Sequence, residues 1–184
     1  IGGGVGFKEA QVTQLGERED FSLLFLPLQL AWDRSDNLLD PTKGGRLGIQ
    51  VAPYWDLFKE ELQFTKARMS YGQYLKVLRS PSTVLAARIN VAVVSGEERL
   101  EIPADERLYA GGGSSVRGYA YQSLAPRAEG IPTGGKSLLE TSVETRVRIT
   151  EQVGLVFFLD GGNAFAGITP SSTEDLFWGA GIGV

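Results

Sequence analysis

The chain has 184 residues with 18 basic and 22 acidic side chains, a net charge of −4, and neither cysteine nor histidine. This length suits one domain, and the missing residue types exclude disulfides, thiolate nucleophiles, a Ser/His/Asp triad and most zinc sites. The mildly acidic balance, with no basic block, also argues against a nucleic-acid partner.

Hydropathy leaves one class of membrane protein open. No apolar run approaches the roughly 20 residues of a membrane-spanning helix. Mean hydropathy is −0.06, as expected when lipid-facing and lumen-facing residues alternate in a transmembrane β-barrel. Glycine is enriched, at 24 of 184 residues, against an average of about 7%. The chain opens at Ile1 without methionine, so we expect a cut or processed start.

Alternation of apolar and polar side chains recurs along the chain and predicts about eight strands. The alternating segments are residues 1–7, 22–32, 47–55, 62–74, 83–93, 137–149, 153–160 and 178–184. In one of them, Ala87, Ile89 and Val91 oppose Arg88 and Asn90. Most segments approach the 9 to 11 residues with which a strand crosses a bilayer. With no capped helix and no linker, residues 1–184 are expected to form one all-β, antiparallel domain.

A water-soluble β-sandwich would alternate in the same way. Two details favour a membrane barrel. The polar faces carry charge in mid-strand, as expected for a wet lumen, at Arg88, Glu144, Arg146 and Arg148. Aromatic residues fall near predicted strand ends, where a girdle would sit; they are Trp32, Tyr54, Trp55, Tyr71, Tyr74 and Trp178.

The first long turn is acidic and suggests a calcium site. Four of its residues carry side-chain oxygens that could bind the ion: Asp33, Asp36, Asn37 and Asp40. The EF-hand pattern fails because Ser35 and Leu38 occupy positions that need Asp or Asn and Gly. We therefore predict a turn capped by its own side chains rather than a metal site.

Two glutamate pairs, Glu60–Glu61 and Glu97–Glu98, could supply paired carboxylates for acid/base chemistry. Each pair lies beside a predicted loop, and neighbouring residues of an extended chain point to opposite sides. We interpret both pairs as solvated.

Residues 130–137 match the spacing of a phosphate-binding P-loop, and Asp160 could supply the carboxylate that binds magnesium. That chemistry needs a buried strand before the loop and, after it, a helix whose amides bind phosphate. The residues after Ser137 instead alternate with period two. Leu139, Val143 and Val147 are also spaced by four, which would fit a helix as well. A nucleotide-binding protein is the less favoured alternative, and we expect no nucleotide here.

The connection over residues 95–136 is far longer than a hairpin loop, and such loops are normally functional or disordered. It contains Leu108-Tyr-Ala-Gly-Gly-Gly-Ser-Ser-Val-Arg-Gly-Tyr119. A flexible linker explains the glycines but not the Val-Arg-Gly-Tyr among them. The segment resembles the Gly-Gly-x-x-x-Val-Arg-Gly-Phe/Tyr loop motif of the outer-membrane assembly and secretion barrels, the BamA/TamA-like or bacterial surface antigen superfamily.

Neighbouring segments match the same superfamily in order. The Asp33 to Gly44 turn resembles the turn before the strand pair that precedes the loop. Ser142-Val143-Glu144 resembles the first strand after it, and Phe157 to Gly162 resembles the next strand's aromatic-x-Asp-x-Gly. Compact loops and Ser-Val-Glu look most like the TamA branch. The superfamily barrel has roughly sixteen strands, so this chain supplies about half.

The resemblance implies the C-terminal part of a Gram-negative outer-membrane β-barrel whose long loop enters the lumen. The implied function is insertion or secretion of other β-barrel or autotransporter proteins, without an enzyme's covalent chemistry, catalytic residues, metal or cofactor. Implied partners are the lipid bilayer, unfolded substrate proteins and a periplasmic subunit. A passive pore is the second alternative, since about eight strands can close by themselves.

The loop's arginine supplies the most specific expectation. A guanidinium that enters a confined lumen must find carboxylates there, and alternation directs Glu144, Phe158 and Asp160 to that side. Glycine would let the loop backbone turn close to the wall, and the tyrosine would wedge the loop. The motif residues are Val116, Arg117, Gly118 and Tyr119, and the expected docking partners are Glu144, Phe158, Asp160 and Gly162.

Overall fold

A computed structural model describes residues 1–14, 16–58, 62–171 and 175–184, and among them every regular element is a β-strand. Within these ranges no helix is long and apolar enough to cross a membrane. The Glu60–Glu61 pair lies outside the described residues. The strands are β1 (Gly2–Gly3), β2 (Gly6–Gln14), β3 (Glu17–Phe25), β4 (Leu28–Asp33), β5 (Gly44–Asp56), β6 (Gln63–Leu78), β7 (Thr83–Gly96), β8 (Arg127–Ala128), β9 (Ile131–Pro132), β10 (Ser137–Arg148), β11 (Gly154–Phe165) and β12 (Phe177–Gly183).

One antiparallel sheet contains all the long strands. Its order is β1-β4-β5-β6-β7-β10-β11-β12, and the β2–β3 hairpin joins it where β3 pairs with β5. The short strands β8 and β9 form a separate hairpin within the long loop. In the part of the chain described, no pairing joins β12 to β1 or β2. The all-β, antiparallel prediction is confirmed, and the sheet is part of a barrel that does not close by itself.

The strand register gives the sheet one continuous apolar face. Cross-strand partners follow one another from Leu30 through Ile49, Met69 and Val91 to Leu139. Several of these side chains are exposed, as expected for residues that would face lipid. We call this the outer face, and the opposite, mixed face the inner face.

The predicted strand over residues 22–32 is instead two strands that break at Leu26 and Pro27. Proline has no amide proton, so it cannot donate to the ladder and is confined to edges and irregularities. The Leu26 amide donates instead to the Pro53 carbonyl at 3.1 Å. The strand before this break, β3, pairs with β2 over Gly6 to Gln14. Of this hairpin, the alternation predicted only the first two residues of β2 and the last four of β3.

Two of the aromatic residues assigned to a girdle lie on the inner face, so that prediction is wrong for them. Tyr54 is 9% exposed and its ring stacks between Phe25, at 5.0 Å, and Phe64, at 4.7 Å. The guanidinium groups of Arg46 and Arg146 lie over the ring of Tyr74. Both tyrosines occupy even-numbered positions, and in β5 and β6 the side chains at these positions point to the inner face.

The long connection runs from residue 97 to residue 136 and folds back onto the inner face. Its apolar side chains join one buried cluster with the strands. The loop members are Ile102, Leu108, Ala110, Val116 and Leu124, and the strand members include Phe21, Leu23, Tyr54, Phe64, Val94 and Leu138. Burial of each large aliphatic side chain contributes about 1.5–3 kcal/mol. The loop is therefore a packed part of the interior rather than a flexible surface segment.

Substituting arginine at Ile89 tests the assignment of the two faces. Ile89 lies on the outer face between Tyr71 and Thr141, near the middle of β7. In a bilayer, Ile89→Arg should lower the free energy of unfolding by about 2–4 kcal/mol because it places a charge against lipid tails. Ile89→Leu should be tolerated. Denaturant titration of the protein in lipid vesicles measures both.

Cysteine labelling gives the matched control. Ile89→Cys should resist a water-soluble maleimide, whereas Arg88→Cys, one residue away on the inner face, should react. Equal labelling at the two positions would show that the register or the barrel interpretation is wrong.

Candidate functional site

The site is built from two neighbouring cross-strand rows on the inner face. In one row Ser142 of β10 pairs with Asp160 of β11, which pairs with Gly179 of β12. In the next row Glu144 pairs with Phe158, which pairs with Gly181. Because alternate residues of a strand share a face, the two rows project to the same side. Two carboxylates, a hydroxyl and a phenyl ring therefore meet on one patch of wall.

Arg117 of the long loop reaches this patch with its whole guanidinium. Its Nε and Nη2 donate to the two oxygens of Asp160 at 2.6 and 2.7 Å. Its Nη1 lies 2.7 Å from Oε1 of Glu144, and Nη2 also donates to the Ser142 hydroxyl at 3.2 Å. The guanidinium carbon lies 3.7 Å from the centre of the Phe158 ring. We call this set of contacts the arginine dock.

Asp160 is the residue on which the dock is centred. Its side chain is 0% exposed, so its charge depends on protein donors. Besides the guanidinium, it accepts from the Arg117 amide at 3.1 Å and from the Ser142 hydroxyl at 2.7 Å. The side-chain bonds of Arg117 to Asp160 and, to a smaller extent, to Glu144 raise the pKa of the guanidinium. Two parallel charge-assisted hydrogen bonds join the Arg117 guanidinium to the Asp160 carboxylate, and a lysine ammonium could not reproduce this geometry.

The residues flanking Arg117 hold the loop in place by packing. Val116 is fully buried and lies over Gly162, where an added Cβ would meet a Val116 methyl group at 3.1 Å. Tyr119 donates from its hydroxyl to the Trp178 carbonyl at 3.2 Å, and its ring meets that of Phe177 edge-on. The structure thus brings the loop motif and all four expected partners together.

The expected role of Gly118 needs correction. Its φ of 92° requires glycine-like freedom, but an added Cβ there would meet nothing within 4 Å. The close approach to the wall occurs instead at Gly179, where an added Cβ would lie 2.1 Å from the Arg117 carbonyl oxygen. The glycine that makes room for the loop is therefore on the strand.

A third carboxylate, that of Glu140, was not among the docking partners expected from the sequence. It is 5% exposed, accepts from the Ser115 hydroxyl and accepts from the Asn90 amide at 3.1 Å. Ser115 in turn accepts from the Gly111 amide at 2.8 Å. Alternation already places Glu140 on the face of Glu144, so the sequence did contain the signal.

The P-loop-like residues lack the context that phosphate binding needs. Ser137 begins strand β10 rather than a helix. The Lys136 ammonium donates to the Glu97 carbonyl at 2.5 Å, which ties together the two ends of the loop. Lysine here closes a loop rather than facing an open phosphate site.

The acidic turn is capped by its own side chains, as predicted. The Asp36 carboxylate accepts from the backbone amides of Thr42 and Lys43 and from the Thr42 hydroxyl. These bonds, chiefly that of the Thr42 hydroxyl, lower the pKa of Asp36 to about 2. Among the described residues, no group of acidic side chains is arranged to hold a metal ion.

Comparison with known proteins shows which family and which folds the chain resembles. The sequence matches the Omp85 superfamily domain over residues 5–184. It is 28% identical over 152 residues to the outer membrane protein assembly factor BamA of Neisseria meningitidis serogroup B, an alignment covering 76% of this chain and 19% of that protein. The crystal structure of BamA from Haemophilus ducreyi lacking POTRA domains 1-3 has a similar fold, with a TM-score of 0.73, 17% identity, and coverage of 90% of this chain and 36% of that one. The chain spans well under half the length of either.

Adding a methyl group at Gly179 should dislodge the loop. The new Cβ would collide with the Arg117 backbone, and such overpacking costs about 1–3 kcal/mol. Gly183→Ala is the matched control, because a Cβ at this other glycine of β12 meets nothing within 4 Å. Denaturation midpoints and hydrogen exchange of residues 113–119 measure the difference. Identical behaviour of the two variants would show that the loop does not rest on β12.

Residues 130–137 should bind no nucleotide, because a strand follows them where a helix would be needed. Calorimetric titration with ATP and magnesium should give no saturable heat. Saturable binding that is lost in Lys136→Ala but kept in Lys43→Ala would contradict this prediction.

Proposed function

The chain belongs to the Omp85 superfamily, and from that premise we propose that it takes part in inserting or secreting other proteins at the bacterial outer membrane. The similar protein of Neisseria meningitidis is an outer membrane protein assembly factor. The observation that carries the proposal for this chain is the arginine dock, since the loop that marks the resemblance is fixed to the inner wall by its central residue.

The dock supports an assembly factor better than a passive pore. A pore needs an open lumen, whereas here the long loop packs its apolar side chains against the inner face. A loop held by a charged fork keeps one position until that fork is broken. In our proposal the docked loop fixes the shape of the inner wall while an unfolded substrate protein is inserted or secreted.

The proposed surroundings follow from the two faces of the sheet. The outer face presents exposed apolar side chains to the lipid of a Gram-negative outer membrane. Unfolded outer-membrane or autotransporter proteins would be the substrates, and a periplasmic subunit would be a further partner. The work would be done by binding and strand pairing, without bond-making chemistry or a cofactor.

Arg117→Ala should abolish most assembly activity. The substitution strips the buried Asp160 of its cation, and loss of one partner of a buried pair costs about 3–5 kcal/mol. Arg117→Lys should rescue only in part, because lysine lacks the planar fork. Insertion of a radiolabelled barrel substrate into vesicles that contain the full-length protein measures the effect.

Arg127→Ala is the matched control in the same loop. Arg127 is exposed, and in the described part of the chain it donates to the nearby carbonyls of Ser123 and Gly130. Its removal should leave insertion near the wild-type rate. Equal loss of activity in the two alanine variants would mean that the loop acts through its general fold and not through the dock.

A further inference from the structure

The β2–β3 hairpin is weakly attached to the sheet by strand pairing. Among the described residues, β2 pairs with β3 alone, and β3 pairs with β5 over Leu23–Phe25 only. By contrast, β5 and β6 pair continuously from Gly44 to Trp55. Three residue pairs and one further backbone hydrogen bond, from Leu57 to Ser22, are a small contact for a hairpin of this length. Contacts with the loop, which already include the buried side chains of Phe21 and Leu23, must therefore help to hold it in place.

The stem of the long loop supplies a charged contact to the hairpin. Lys8 of β2 lies with its ammonium 2.6 Å from carboxylate oxygens of both Asp105 and Glu106. The other oxygen of Glu106 lies 3.2 Å from the ammonium of Lys66 on β6. The Glu106 side chain is 8% exposed, so its charge is held between the two lysines. One loop carboxylate thus joins a hairpin strand to a central strand.

The next residue ties the tip of the hairpin to both ends of the loop. Arg107 is buried and donates to the carbonyls of Leu100, Ile102 and Thr133. A fourth bond, of 2.6 Å, goes to the side-chain oxygen of Gln14, the last residue of β2. Burial lowers the pKa of Arg107, and these four acceptors satisfy most of the five N–H groups of the guanidinium.

We propose that the long loop is a strut with two charged anchors of opposite polarity, and that Glu106 is the positioning residue that fastens the β2–β3 hairpin to the sheet. At the arginine dock, a loop cation meets carboxylates of β10 and β11. At the second anchor, loop carboxylates meet cations of β2 and β6. The loop therefore spans the inner face from one side of the sheet to the other.

The opposite polarity of the anchors makes the strut directional. An acidic stem placed on the acidic patch of β10 and β11 would meet like charges, and Arg117 placed beside Lys8 and Lys66 would do the same. Like-charge contacts cost energy where water is partly excluded. Each anchor thus fits one side of the sheet only, and this proposal does not depend on which substrate the protein binds.

Hydrogen exchange of the full-length protein in detergent micelles tests the strut. Glu106→Gln removes the charge and keeps the shape, so peptides covering residues 6–25 should exchange at least tenfold faster than in the wild type. Peptides covering β10 and β11 should be unchanged. Arg117→Ala should give the reverse pattern, with faster exchange at residues 113–119 and in β11.

Lys8→Gln should reproduce the Glu106→Gln pattern, and the double variant should be no faster than the faster single one because both remove the same contact. Glu9→Gln, on the exposed opposite face of β2, is the matched control and should leave exchange unchanged. The proposal is overturned if Glu106→Gln leaves the hairpin protected, if it loosens both sides of the sheet equally, or if Glu9→Gln has the same effect.

Discussion

A carboxylate that has no contact with water must find its counter-charge and its hydrogen-bond donors inside the protein. Asp160 is such a group, and the surrounding structure provides for it. The register of β10 and β11 places Ser142 opposite it, the loop brings Arg117, and Gly179 leaves room for the backbone that carries the arginine. A shift of one residue in β11 would turn Asp160 to the outer face, and the same shift in β10 would turn Ser142 away from it. The dock therefore depends on the whole ladder.

Much of this arrangement could be predicted from the sequence, because it follows from local rules. Period-two alternation gives the faces of most strands, and the inner-face positions of Glu144, Phe158 and Asp160 follow directly. The resemblance of the Val-Arg-Gly-Tyr segment to a known loop motif supplied the one non-local step, that the arginine comes to that face. The same alternation puts Glu140 on this face, although it was not among the expected docking partners.

The parts that escaped prediction depend on contacts between residues far apart in sequence. Lys8 belongs to a strand of which only the first residues were recognised, and its partner Glu106 lies in an irregular segment with no periodicity. The clash at Gly179 also has no local signal, since a glycine in an alternating strand equally fits a bulge or a weak strand. Tyr54 was assigned to a membrane girdle because aromatic residues serve both at interfaces and in cores.

Sequence distance also orders events in time. The dock joins residues 43 apart and the second anchor joins residues 98 apart, whereas the hairpins join near neighbours. Closing long segments costs more chain entropy and is slower. Because the wall of the dock is formed by β10, β11 and β12, we expect the loop to settle after these strands have paired and the acidic patch to be hydrated until then. The exclusion of water from the interior would then be a late step of folding, completed by the segment that carries the arginine.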